Sequence, residues 1–378
     1  MAEEKKEIPA GSENATGHLT PKHIRMMLAA FIIYIAAVGG FLLISCIGLI
    51  RDKNAEEGYW ESALKPDAET EAQVQKIVGE SSPVTVTVGT YITDLKDMNL
   101  DDSDFEVVAE VWFRWQGSKD LDMAHNFGVY KGTINHLQVI EDIHDGDSNY
   151  QLVSLDTTIS KAFWTVRFPL ESHQLRMYLQ CAYNVSEVVF KADTDASTLN
   201  PNLEVAGFKV LRSATEALDY KYDSSLGNPE ALKDTGYLYI SEHMTQIEIN
   251  RTGFSLYLMC FIAMFGTMTW AMITLFICTY HRVDPLGMIP AALFGAVANI
   301  MVGANKVPSM QQGLLLEMNF FGIATILTTA ITIIMINRIR SKYEDREFAK
   351  KFGRLMFITE LAFVVVGNIV LPVSAYKF

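Results

Sequence analysis

Cysteine is scarce and badly distributed for cross-linking. Of Cys46, Cys181, Cys260 and Cys278, only Cys181 lies outside a long apolar run, so the soluble part of the chain cannot close an internal disulfide. No CxxC or paired Cys/His spacing suggests zinc. A nucleophile motif, a P-loop, a GxGxxG turn and an HExxH helix are all missing, and the eight histidines are scattered, so an enzyme is not expected. Basic residues are also short where the chain is polar. Residues 55–251 hold 33 acids against 15 bases, a net charge of about −18, while the remainder carries about +5. A diffuse acidic segment repels polynucleotides and attracts cations, which argues against nucleic-acid partners.

What the chain does have is long apolar runs. Met26–Ile50 (MMLAAFIIYIAAVGGFLLISCIGLI) is long enough to cross a bilayer with some tilt and too long for a cleaved signal peptide. A competing reading takes Leu43-Ile44-Ser45-Cys46 as a lipoprotein processing box with lipidation at Cys46, but the apolar run continues through Ile50. Four further spans are expected: Phe254–Tyr280, Pro285–Gly303, Leu314–Ile336 and Leu355–Tyr376. Lys22 and Arg25, His281 and Arg282, and the basic cluster from Arg338 to Arg354 all fall on one side if the N-terminus is cytoplasmic. That places residues 51–253 and the C-terminus outside a cell membrane.

Between the first two spans the pattern changes. Residues 1–21 read as a disordered tail, 22–50 as an anchor, and 51–82 as a polar connector with a short helix near Glu69–Val78. Val84–Val88 alternates with period two, and Phe105–Trp115 (FEVVAEVWFRW) is rich in β-branched and aromatic residues. Further strands are expected at Leu137–Ile140, Phe163–Arg167, Leu175–Leu179, Val188–Lys191, Phe208–Leu211, Gly236–Ser241 and Thr245–Ile249. Short strands separated by Asp/Asn/Gly turns predict an antiparallel β-sandwich over residues 83–251. The expected fold class is therefore membrane α+β: a β-sandwich followed by a four-helix transmembrane bundle over 252–378, with one extra N-terminal helix.

Several stretches, in order, resemble the pentameric ligand-gated ion channels, the Cys-loop receptor superfamily, especially its prokaryotic members. Tyr91–Asp97 with Phe105–Trp115 resembles the first strand pair of their extracellular domain. Phe168-Pro169-Leu170-Glu171 with Gln174-Leu175 resembles the loop that meets the membrane domain. Ile247–Phe261 (IEINRTGFSLYLMCF) resembles the last strand, its terminal arginine and the start of the first pore-domain helix; Asn299–Asn305 with Pro308 resembles the outer end of the pore helix. The paired cysteines and the W-x-P segment of the ligand pocket have no counterpart, and the N-terminal anchor is additional to the family pattern.

The resemblance implies a homopentamer in a lipid membrane, bacterial by preference, gated by a small ligand or ion. Helical spacing puts Leu286, Pro290, Leu293, Val297, Ile300 and Ala304 on one stripe, which would line the axis, with Leu293 at the gate level. Asp284 at its mouth would favour cations, with Arg282 opposing, while Asp284 as a simple helix cap is the plainer reading. Pro290 is expected to bend the helix. The stripe has no Ser or Thr, which leaves a non-conducting sensor or scaffold as the alternative. A transporter would need inverted repeats that are not visible. Coupling is assigned by resemblance to Arg251, Glu171 and Pro169, with Asp97, Asp101 or Asp102 as a third member. Ligand contacts are assigned to Trp112, Trp115, Tyr220, Tyr222, Tyr237 and Tyr239, whose rings suit an amine through cation–π attraction, although alternating strand aromatics are more often core. Asp142, Asp145 and Asp147 offer oxygens for Ca²⁺ at a turn that fits no EF-hand loop, a solvated acidic hairpin being the simpler reading. No other cofactor is expected. Glu317 and Glu360 lie in or near apolar spans, where carboxyls are functional or close to the interface.

Overall fold

The computed structural model describes residues 20–118, 120–229, 236–304 and 313–377, which divide into two compact units. The tail expected over 1–21 therefore falls almost wholly outside the described residues, as do residues 305–312 with Asn305 and Pro308, and the side chain of Ala304.

The β-rich unit takes in 47–259, 303–315 and the last residues from Ser374. Its strands are β1 (Val84–Asn99), β2 (Asp104–Gln116), β3 (Phe127–Val129), β4 (Gly132–Asp145), β5 (Ser148–Ser160), β6 (Ser172–Asn184), β7 (Val188–Ala192), β8 (Thr198–Leu199), β9 (Phe208–Tyr222) and β10 (Leu238–Arg251). They form two sheets, β4-β5-β2-β1-β7 with β8 beside β1, and β3-β6-β10-β9. Pairing is antiparallel except where β7 and β8 run parallel to β1. Strict alternation on β2 turns Phe105, Val107, Ala109, Val111, Phe113 and Trp115 inward. There they share one apolar cluster with Leu175, Met177 and Leu179 of β6 and Ile247 and Ile249 of β10. Each of the larger of these side chains contributes about 1.5–3 kcal/mol by leaving water. The edge strand β4 is mostly exposed and carries Glu141, Asp142, His144 and Asp145, charges that discourage edge-to-edge pairing.

β10 departs from this half-wet pattern, because every residue from Tyr239 to Asn250 is buried. Its second face is covered by helices. The connector expected to be mostly polar coil is helix α1 (Pro21–Ala63), running unbroken well past its apolar stretch, followed by α2 (Ala68–Ser81). Residues 51–63 contain no proline and one glycine among good helix formers, so nothing stops the helix before Lys65-Pro66. Asp67 starts α2 by accepting from the Thr70 N–H at 2.9 Å. Glu56, Tyr59 and Trp60 reach the outer face of β6 and β10: their carbonyls accept from Gln174 Nε2 at 2.7 Å, Arg176 Nη2 at 3.0 Å and Gln246 Nε2 at 3.4 Å. Val74 of α2 packs with Val185 and Tyr239.

Three other strand expectations are corrected. Phe163–Arg167 is a turn, since Phe163 enters the core while Trp164 and Arg167 are drawn to carboxylates of α1. The two strands expected at 236–241 and 245–249 are the single β10. β5 escaped notice because Asn149, Gln151 and Thr157 occupy inward positions of its alternation.

The helical unit comprises the described part of 20–46, with 260–302 and 316–373. Its other helices are α3 (Ser255–Phe276), which ends in a π-turn at Ile277–His281, α4 (Ile289–Ala304), α5 (Leu314–Lys342) and α6 (Arg346–Ala375). Four helices, α1, α3, α5 and α6, are long and apolar enough to cross a membrane. The span expected at 285–303 is shorter: a 3₁₀ turn at Leu286–Met288 leads into 16 residues of α4. At ~1.5 Å per residue it falls short of a ~30 Å hydrocarbon core. Pro290 is its second residue, a position where helices tolerate proline because the missing N–H is among those left unpaired at a helix start.

Candidate functional site

On α4, Ile289, Ala292, Ala296 and Asn299 face the interior of the helical unit and are buried. Asn299 fixes that face, donating to Asn319 Oδ1 at 2.9 Å and accepting from the Met264 N–H at 3.2 Å. At Gly295 a Cβ would lie 2.3 Å from Thr267, so only glycine permits that approach of α4 to α3. The opposite side is open: Leu286, Pro290 and Val297 are exposed, and Leu293 and Ile300 are half-buried. Phe294 and Met301, at 76% and 64% exposure, belong to the same apolar surface and were not singled out in the sequence. Asp284 is exposed and accepts from the Leu286 N–H at 3.1 Å, as the capping reading expects. Glu317 lies in the first turn of α5, near its end. Glu360 is fully buried and accepts from Thr329 at 2.8 Å and Thr332 at 2.6 Å.

A second cluster lies in the β-rich unit, where the chain turns sharply between β5 and β6 through the cis Phe168–Pro169 bond. Arg251 at the end of β10 donates from Nε to Glu171 at 2.9 Å and also pairs through Nη2. Its guanidinium lies 4.3 Å from the centroid of the Phe208 ring. Burial alone would raise the Glu171 carboxyl, but His173, 3.7 Å away, and Arg251 outweigh it and hold it below its ordinary value. Burial pushes His173 down, between the rings of Phe163 and Phe208. The Leu314 N–H, beside Gly313, donates to the Val166 carbonyl at 2.9 Å. Gly313 is required there, because a Cβ would sit 1.9 Å from that carbonyl oxygen.

Arg251 and Glu171 are thus brought together as the resemblance implies, while Asp97, Asp101 and Asp102 are not part of the cluster. All three aspartates are exposed, and Asp101 and Asp102 instead donate their N–H groups to the Asn99 side chain, closing a local turn.

The members that sequence reasoning missed come from α1, the β5–β6 turn, β6, β9, β10 and the residues after α6. Arg167, 1% exposed, donates to Asp52 at 3.1 Å, Ser172 at 2.9 Å and the Ala375 carbonyl at 3.2 Å, and pairs closely with Glu56. Burial raises the Glu56 carboxyl against the pull of Arg167. Buried Glu248 on β10 pairs with Arg212 and with Lys377. Both cations also hold Glu57, at 2.7 and 2.8 Å, and the Lys377 hydrogen bond draws that carboxyl down. No local motif marks such a network, because most of its partners lie more than a hundred residues apart.

The six expected ligand aromatics do not gather at one place. Trp115 is core, its indole donating to the Ser118 carbonyl at 2.9 Å. Trp112 stacks over Gly89 and donates to Asp193 at 3.0 Å. Tyr237 lies under the Lys221 ammonium, and Tyr239 packs on α2. Tyr220 and Tyr222 contact each other edge-on, 4.9 Å between centroids. Tyr220 alone of the six lines a cavity of about 460 Å³, together with Tyr59, Tyr130, Tyr178, Arg176, Lys161 and Glu242. Burial pushes the Glu242 carboxyl up to about 7 and the Lys161 ammonium down to about 8. Two groups of opposite type drawn toward neutrality in one cavity mark a candidate binding site.

The Ca²⁺ expectation is not supported. Asp142 pairs with His144 at 3.1 Å, and among the described residues no group of three or more His, Cys, Asp or Glu could hold a metal, so Asp145 and Asp147 belong to an exposed hairpin turn. No protein-family model and no curated protein matches the chain.

Proposed function

We propose that the chain is one subunit of a pentameric ligand-gated ion channel in a cell membrane, with its two sheets packed as a β-sandwich outside and α4 lining the pore. The observation that carries this reading is the division of α4 into two faces. One is bound by Asn299 and Gly295 to its neighbours, and the other, from Pro290 through Leu293 to Val297, is apolar and, among the described residues, exposed or half-buried. An apolar stripe that five copies turn toward a common axis makes a constriction able to close by dewetting. Asp284 before the stripe gives a ring of carboxylates and a lean toward cations. The Arg251–Glu171 pair and the nearby-in-sequence Val166 carbonyl, which accepts from the Leu314 N–H, support transmission of a ligand signal toward the residues that follow α4. The tyrosine cavity, with Arg176, Lys161 and Glu242 in its lining, offers a small polar ligand both aromatic faces and hydrogen-bonding groups.

The alternative is a non-conducting sensor or scaffold of the same architecture, favoured by a stripe without a single hydroxyl. Planar-bilayer recording of the purified protein separates the two. Wild type should pass cations once gated, and Leu293→Ser should hold the pore open longer. If neither passes current under any ligand or pH condition, the channel reading fails.

A further inference from the structure

Between the end of α3, the end of α5 and the start of α6 lies a cavity of about 290 Å³ lined by Thr279, Arg282, Arg340, Arg346 and Lys350. Three elements bring four cations to one hollow. The π-turn at Ile277–His281 leaves Arg282 in a left-handed conformation, φ 59°. Arg340 is held by donating to the Cys278 carbonyl at 2.8 Å. Arg346 and Lys350 are one turn apart on α6 and exposed. None of the four enters an ion pair among the described residues. Of the nearby acids, Glu347 pairs with Lys351 at 2.8 Å, Asp345 accepts from the Phe348 N–H at 2.9 Å, Asp284 accepts from the Leu286 N–H, and Glu344 is exposed to solvent. A separate observation points to a missing ligand: Thr279 is 2% exposed, lines the cavity, and its hydroxyl has no hydrogen-bond partner.

We infer that this cavity binds the phosphomonoester head group of an anionic phospholipid. Uncompensated cations around an unsatisfied hydroxyl call for an acceptor-rich anion, and a phosphomonoester carries about −1.5 to −2 charges where a phosphodiester carries only about −1. The membrane is the source because the four cations lie in the short polar stretches that flank apolar runs. Arg282 follows the run ending at Tyr280, Arg340 closes the run from Leu314, and Lys350 precedes the one beginning at Leu355. Basic pockets at that depth between membrane helices meet lipid head groups. The cavity is head-group sized, at the lower limit for small-molecule sites.

The test uses the full chain in phosphatidylcholine nanodiscs containing either phosphatidic acid or phosphatidylglycerol, with bound lipid counted by native mass spectrometry. Wild type should retain phosphatidic acid in preference to phosphatidylglycerol. The exposed pair Arg346→Gln with Lys350→Gln should weaken retention about 30-fold, at roughly tenfold or less per cation removed. Thr279→Val should weaken it severalfold while leaving thermal stability unchanged. Equal retention of the two lipids, or a double variant that binds like wild type, overturns the inference. Inorganic phosphate displacing the lipid at equal concentration would also overturn it, by assigning the cavity to a soluble anion. Lipid counting does not depend on conduction, so this outcome is separable from that of the channel reading.

Discussion

At the scale of single residues, buried charge sets the constraints. Arg251 and Glu171 are both largely withdrawn from water, so removing either leaves its partner's charge uncompensated. Arg251→Glu is expected to cost roughly 3–5 kcal/mol in thermal unfolding, with partial recovery when Glu171→Arg is added. Independent, additive effects would separate the pair. Glu242 gives a pH signature. Its carboxyl is raised from 4.5 to about 7, by burial first and by Asp219 in addition, against the hydrogen bond from Gln180. The folded protein therefore holds this proton more tightly than the unfolded chain. The stabilisation is fully present below the ordinary glutamate value and is lost as pH climbs toward 7. Wild-type Tm should fall over that interval by the equivalent of a few kcal/mol, and Glu242→Gln should flatten the decline. A slope that survives the substitution would assign the titration to another group.

Elements differ in how legible they were. Helices α3, α5 and α6 and strands β1, β2, β6 and β7 stand out because one physical period governs each. The α1 extension did not, because its polar residues pair with strands far away in sequence and show no apolar stripe of their own. The Phe163–Arg167 turn was misread because a run of large apolar residues looks like a strand whenever the partners of its polar members are unknown. For α4 the stripe was readable and the anchoring was not: Asn299 looks like any polar residue until Asn319 and Met264 are seen beside it. Asn299→Ala is expected to cost about 1–2 kcal/mol, the range of a hydrogen bond between membrane helices. Differential scanning calorimetry in detergent checks this, and an unchanged Tm would make the pair incidental.

For the molecule as a whole, the candidate site was half visible. Arg251, Glu171 and the stripe could be named from the sequence, whereas Arg167, Glu56, Glu57, Glu248 and Lys377 could not, since only folding brings both chain ends to β10. Two measurements address assembly and orientation. Images of purified particles viewed down the membrane axis should show fivefold symmetry, and any other order would end the pentamer proposal. Protease added outside intact spheroplasts should cut within residues 55–251, and protection of that region would reverse the proposed topology.

The double cover over β10 reaches beyond stability. An ordinary strand leaves every second position free to drift, so its relatives diverge along one parity and stay fixed along the other. A strand closed above and below gives random change no such lane. Across descendants of this chain, Tyr239 to Asn250 should evolve as one block, with substitutions arriving in compensated pairs alongside residues 52–60 and 167–176.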